Sequence, residues 1–142
     1  MQNRDHLEAY ADEFVSLFGV EEPPVPVDDM LQYPPDDMWE KVDVTRLSGT
    51  FLAITDPYSP RMSLARLLVR HLAASVWGER RELPALLRDN PDDLRAMARM
   101  LLMPRTLVFN ASDGELNPTT MSIIFQVPEE DARLRLEELG QT

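Results

Sequence analysis

The 142-residue chain has no cysteine, only two histidines and only five glycines. Without cysteine it has no disulfide, no thiolate metal site and no cysteine nucleophile. A cysteine-free composition also suits a reducing compartment, so we predict a cytoplasmic protein. Two histidines supply few of the ligands that a catalytic zinc ion needs, and five glycines leave little room for a glycine-rich phosphate loop.

Positive charge is also scarce, with 14 basic against 25 acidic residues and a formal net charge of −11. This charge repels phosphate backbones, so we predict no direct nucleic-acid binding. The N-terminal residues contain no long apolar run, and we therefore expect neither a signal peptide nor a membrane span. The length and a hydrophobic content of 44% predict one domain over residues 1–142.

Apolar residues at helical spacing, bounded by capping residues and prolines, predict several helices. The predicted helical segments are 3–18, 27–33, 59–78, 90–103, 117–125 and 128–139. The pattern changes over residues 42–55, where two β-branched runs flank a Ser48-Gly49 break and predict two short strands. We therefore predict an α+β fold that is mainly helical, with a small β-hairpin or short sheet packed on the central helix 59–78.

Candidate chemistry is concentrated on the central helix, where Ser75 lies one turn after His71. A single histidine on a mostly apolar face is usually a core or boundary residue. The alternative is a serine-type site in which His71 activates the Ser75 hydroxyl, because a base one helical turn away can reach it. The sequence identifies no orienting carboxylate and no oxyanion hole for such a site.

Methionine is frequent in the chain, with eight residues in all. Met97, Met100 and Met103 fall on one predicted helix at a spacing of three. Core packing is the preferred interpretation of this spacing. The alternative is a partner-binding surface, because thioether side chains repack easily against varied apolar shapes.

Five short motifs follow one another along the chain, and the predicted hairpin lies between the first two. They are Pro24-Val25-Pro26-Val27, His71 with its helix, Leu101-Leu102-Met103-Pro104, Phe125-Gln126-Val127-Pro128 and Arg135-Leu136-Glu137-Glu138-Leu139-Gly140. This series resembles the ImmA/IrrE metallopeptidase family from about Glu21 onward. The resemblance implies a zincin-like domain over 1–142, with an N-terminal helix at 3–18 and a core at 24–142.

The family's zinc motif, R-x-x-F-T-x-A-H-E-x-G-H, survives here at one of its three functional positions. His71 falls on the first histidine, Leu72 on the catalytic glutamate and Ser75 on the second histidine. The third ligand, a glutamate at the start of the next helix, falls on Pro91, with Asp92 beside it. The resemblance therefore implies a vestigial site with no catalytic residue, no metal and no cofactor, because leucine cannot deprotonate a water.

Members of this family are often encoded beside helix-turn-helix repressors, which they cleave. A degenerate copy would bind a transcriptional repressor or a related peptide without cutting it, as a pseudopeptidase with a binding or regulatory role. One alternative is a metallo- or serine-type hydrolase with a relocated site around His71, Ser75 and Asp92. Another is a structural or assembly domain that only makes protein contacts.

Overall fold

The computed structural model describes residues 2–35, 38–43, 58–88, 90–111 and 116–140. About 70% of these described residues are helical, and they form nine helices and no strand. The helices are α1 Gln2–Leu17, α2 Val27–Gln32, α3 Ser59–Ala74, α4 Val76–Arg80, α5 Leu83–Leu86, α6 Pro91–Leu102, α7 Arg105–Phe109, α8 Pro118–Phe125 and α9 Glu129–Glu138. Among the described residues, no helix combines the length and apolar composition that crossing a membrane requires.

The predicted α+β class is wrong, because the described part of the chain is all-α. The backbone N–H of Val42, where the predicted hairpin begins, donates to the carbonyl of Leu31 in α2 at 3.1 Å. Its β-branched side chain therefore belongs to a connection that packs on a helix end and not to a ladder. The remainder of the predicted hairpin, residues 44–55, lies outside the described residues.

Helix starts and ends follow local capping chemistry. The Asn90 side chain accepts hydrogen bonds from the N–H groups of Asp92 and Asp93 and so caps α6, and Asn117 caps α8 in the same way through Thr120. A proline occupies the first position of both helices, where a missing N–H has no cost. The predicted starts of these two helices are confirmed.

The core lies between α3 and α6, which pack along each other, with α1 against α6 and with α9 against both α8 and α6. One buried and one half-buried arginine connect the motif segments. Arg135, fully buried on α9, donates through Nε to the carbonyl of Met103 at 2.9 Å and pairs with the carboxylate of Glu8 on α1. Arg61 on α3 donates to the carbonyls of Val25 at 2.9 Å and Gln126 at 3.0 Å.

Candidate functional site

His71, which the family resemblance aligns with the first zinc-binding histidine, lies near the C-terminal end of α3. Its half-buried ring packs against the ring of Trp39, with the centroids 5.9 Å apart and the planes 33° from parallel. Burial lowers the pKa of His71 below its ordinary value of 6.5. The imidazole is therefore neutral at neutral pH and is held by an aromatic contact.

Leu72, which the resemblance aligns with the catalytic glutamate, is fully buried in the core. The leucine side chain has neither a hydrogen-bond donor nor an acceptor, and it is not exposed to solvent. This position can neither activate a water nor hold an ion.

Ser75, which the resemblance aligns with the second zinc-binding histidine, ends the helix. Its backbone is extended, with φ −76° and ψ 163°, and α4 begins at the next residue. The Ser75 hydroxyl donates to the carbonyl of Leu72 at 2.6 Å and accepts from the N–H of Gly78 at 3.1 Å. Both functions of this buried hydroxyl are occupied, so Ser75 acts as the N-cap of α4 and is not available as a nucleophile.

The predicted central helix, 59–78, is thus two helices joined at Ser75, a junction that also depends on Gly78. A Cβ atom at Gly78 would lie 2.1 Å from the carbonyl oxygen of Leu72 and 2.9 Å from the Cα of Ala73. Only a residue without a side chain allows α4 to approach the end of α3 so closely. The chain changes direction after Ser75, whose ψ of 163° lies outside the helical range.

The resemblance aligns the third zinc ligand with the start of α6. Pro91 is the first residue of the helix and is exposed, and Asp92 is an exposed residue of its first turn. Within the described ranges, no hydrogen bond or ion pair joins the Asp92 side chain to His71 or Ser75, and no group of three or more histidine, aspartate or glutamate side chains could hold a metal. The structure therefore brings His71, Leu72 and Ser75 together on one helix end but does not complete a site with Asp92.

The three methionines considered as a partner-binding surface lie in the core. Met97 and Met103 are fully buried, and Met100 is 1% exposed. Their apolar environment comes from α3 and α1, which cover α6. They pack as core residues and present no surface to a partner.

A cleft of about 470 Å³ opens beside the Ser75 junction, and the sequence did not indicate it. It is lined by Glu13, Leu17, Met38, Val76, Trp77, Arg80 and Arg81. Leu17 is 53% exposed and Val76 is 63% exposed. Because residue 76 was predicted to continue the central helix, its role as the first exposed residue of a separate helix could not be anticipated.

One wall of the cleft belongs to an aromatic cluster that extends to His71. The ring of Trp77 packs edge-on against Phe14 at 5.8 Å, Phe14 lies 6.1 Å from Trp39, and Trp39 contacts His71. The guanidinium of Arg81 stacks over Trp77 at 3.9 Å and pairs with Glu13. These contacts pack Trp77 between Phe14 and Arg81, while Leu17 and Val76 remain open to solvent.

Comparison of the chain with models of known protein families, with curated proteins and with solved structures gave no match.

Proposed function

We propose that this protein is a cytoplasmic, non-catalytic protein-binding module, a pseudopeptidase of the ImmA/IrrE type. The observation that carries the proposal is the junction at Ser75. The residue at the second histidine position ends the helix, and its hydroxyl is bonded to the backbone on both sides. The general-base position is a buried leucine.

A relocated hydrolase is less well supported by the same residues. A serine nucleophile needs a hydroxyl that a base can deprotonate, and the Ser75 proton is donated to a carbonyl at 2.6 Å. A metal-dependent site needs at least three converging ligands, and the described residues supply no such group. A module that binds a partner without catalysing a reaction therefore requires fewer additional assumptions than a relocated hydrolase.

The cleft beside the junction is where we expect the partner to bind, through an apolar side chain of a protein segment. Its volume of about 470 Å³ falls within the range of pockets that bind ligands. Exposed apolar side chains beside an aromatic wall are typical of an anchor pocket in a protein interface. A segment of a helix-turn-helix repressor would provide such an anchor, and a second copy of this chain is an alternative occupant that the experiment must separate.

The proposal is tested by selecting short random peptides, displayed on phage, against the purified protein. We expect the selected peptides to share an apolar anchor and to lose about tenfold or more in affinity for Val76→Glu, because a carboxylate at the cleft opposes an apolar side chain. Ile123→Glu is the matched control, since Ile123 on α8 is also 63% exposed but lies outside the cleft. This control should bind the peptides as the wild type does.

Three outcomes would contradict the proposal. Equal loss of affinity in Val76→Glu and Ile123→Glu would remove the cleft as the binding site. Hydrolysis of the selected peptides in the presence of added zinc, detected by mass spectrometry, would show that the protein is an enzyme. Failure to select any peptide, together with a concentration-dependent dimer that Val76→Glu dissociates, would assign the cleft to self-association.

A further inference from the structure

Most arginines of the described ranges are neutralised or held by specific partners. A carboxylate or a set of backbone carbonyls binds Arg4, Arg61, Arg81, Arg99, Arg105, Arg133 and Arg135. This pairing is expected in a chain with 25 acidic and 14 basic residues, because almost any cation can find an acid nearby.

Three other arginines lie on neighbouring surfaces of α3 and α6 without such partners. Arg66 and Arg70 are one turn apart on α3, and Arg95 is on α6, which packs along α3. In the described part of the chain none of the three forms an ion pair, and the one hydrogen bond among them runs from Arg66 to the Ser63 hydroxyl at 3.1 Å. We call Arg66, Arg70 and Arg95 the basic cluster.

The members of the basic cluster act on one another electrostatically. Burial lowers the pKa of Arg66, and the positive charges of Arg95 and Arg70 lower it further, while Asp131 opposes them. The carboxylate of Asp131 also lies 3.7 Å from the guanidinium of Arg99, so several cations share this one acid. The fold therefore concentrates positive charge at one place on an acidic protein.

We infer that the basic cluster binds an acidic segment of the protein partner, through the carboxylates of its glutamate or aspartate side chains. A guanidinium presents paired N–H donors that match a carboxylate, and three of them on two packed helices present several such donors in a fixed arrangement. The inference rests on the proposed function, since it specifies the chemistry of the partner. The cluster lies on α3 and α6, the helices that carry His71 and Asp92.

A short acidic peptide fits this cluster better than a nucleic acid. At physiological ionic strength charges are screened beyond about 8 Å, so a few carboxylates experience mainly the local positive charge. A nucleic acid extends over a longer surface and meets the remaining acidic side chains, which repel its phosphates. The net charge of −11 thus limits the ligand to one that is small enough to stay over the cluster.

The inference is tested with a fluorescein-labelled oligoglutamate peptide titrated with the purified protein and followed by fluorescence anisotropy. Arg70→Gln/Arg95→Gln removes two exposed members of the cluster, and we expect it to weaken binding by about tenfold or more. Lys41→Gln/Arg88→Gln is the matched control, because both side chains are exposed, lie outside the cluster and form no ion pair in the described ranges. This control has the same net charge as the cluster variant and should bind as the wild type does.

A second variant separates charge from geometry. Arg70→Lys/Arg95→Lys keeps both charges but loses the forked donors, and we expect its affinity to lie between those of the wild type and the glutamine variant. Arg70→Gln/Arg95→Gln should be at least as stable as the wild type in urea, because it removes repulsion between like charges. Weak binding in a stable variant therefore reports the loss of a contact and not the loss of the fold.

The inference is overturned if the oligoglutamate peptide does not bind, if the two glutamine variants lose affinity equally, or if a single-stranded DNA oligonucleotide binds more tightly than the peptide. Equal loss would show that only the overall charge matters. Oligoglutamate has no apolar anchor, so its binding does not depend on the cleft at Val76. A negative result here is therefore distinguishable from failure of the proposed function, which the Val76→Glu comparison tests.

Discussion

Replacing Ser75 by alanine should destabilise the protein by roughly 2 kcal/mol, because the hydroxyl makes two hydrogen bonds at the junction of α3 and α4. Loss of an N-cap hydrogen bond typically costs about 1 kcal/mol, and here the donor is the N–H of the buried Gly78. Loss of the hydrogen bond that the hydroxyl donates to the Leu72 carbonyl costs about 1 kcal/mol more. The Leu72 carbonyl still accepts from the Ser75 N–H at 3.2 Å, so it avoids the larger penalty of an unpaired buried acceptor.

The free energy of unfolding is measured by urea denaturation, with the fluorescence of Trp39 and Trp77 as the signal. Trp77 lies two residues beyond the substituted serine and packs against Phe14, so its environment reports on the junction directly. A loss of roughly 2 kcal/mol corresponds to a decrease of roughly 8 °C in Tm for a domain of this size. The slope of the unfolding free energy against urea concentration should stay unchanged, because the surface exposed on unfolding is the same.

Two comparisons identify the cause of the effect. Ser75→Thr keeps the hydroxyl and should lose much less than Ser75→Ala. Ser63→Ala removes a half-buried serine hydroxyl from the same helix, where it only accepts a hydrogen bond from Arg66, and should change stability by less than about 0.5 kcal/mol. If Ser75→Ala is as stable as the wild type, or if Ser63→Ala loses as much, the cap is not what holds this junction, and the argument against a nucleophilic serine fails with it.

Three further predictions concern other parts of the same framework. Gly78→Ala should destabilise the protein by about 3 kcal/mol, because its methyl group would lie 2.1 Å from a backbone oxygen of Leu72; a thermal denaturation midpoint equal to that of the wild type would contradict the close approach. Burial lowers the pKa of His71 in the folded protein, so protonation favours the unfolded state, and stability should fall as the pH drops below the unfolded value of about 6.5. Unfolding curves at a series of pH values should show a smaller loss for His71→Asn, and parallel pH profiles for the two proteins would refute this assignment. Arg135→Met should destabilise the protein by about 3 kcal/mol, because it leaves the Glu8 carboxylate buried without its partner. Glu8→Met/Arg135→Met should recover much of this loss in the same urea assay. A double variant that is no more stable than Arg135→Met would show that Glu8 is not the reason.

Helix boundaries were predictable from the sequence wherever the signal was local. Asn90 and Asn117 are followed directly by proline, and an amide side chain before a helix start needs only its own two or three following N–H groups. Gly19 and Gly140 adopt positive φ values, 66° and 72°, just beyond α1 and α9, which the predicted helix ends anticipated. These helix boundaries can be predicted without knowledge of the tertiary contacts.

The break at Ser75 was not predictable in the same way. Apolar residues continue at helical spacing from Leu72 through Val76, and both serine and glycine occur inside helices, so the pattern favours one continuous helix up to Gly78. What ends the helix is the approach of Gly78 to the Leu72 carbonyl and the use of the Ser75 hydroxyl as a cap, two contacts that exist only once the chain has turned. The cleft was missed for the same reason, since the exposure of Val76 depends on that turn.

The roles of the charged residues depend still more on packing between distant segments. Arg66 and Arg70 are recognisable in the sequence as a pair on one face of a helix, but Arg95 joins them only because α6 lies along α3. Arg135 and Arg95 have the same side chain and occupy similar helical sequences, yet one is fully buried against Glu8 and the other is exposed without an ion pair in the described ranges. An arginine that stabilises the fold must have an acid or a carbonyl from another element within reach, whereas one that the fold leaves unpaired among other cations keeps its donors for a ligand. The assignment of binding and structural roles among these arginines therefore follows from which helices face each other, and the sequence supplies only the candidates.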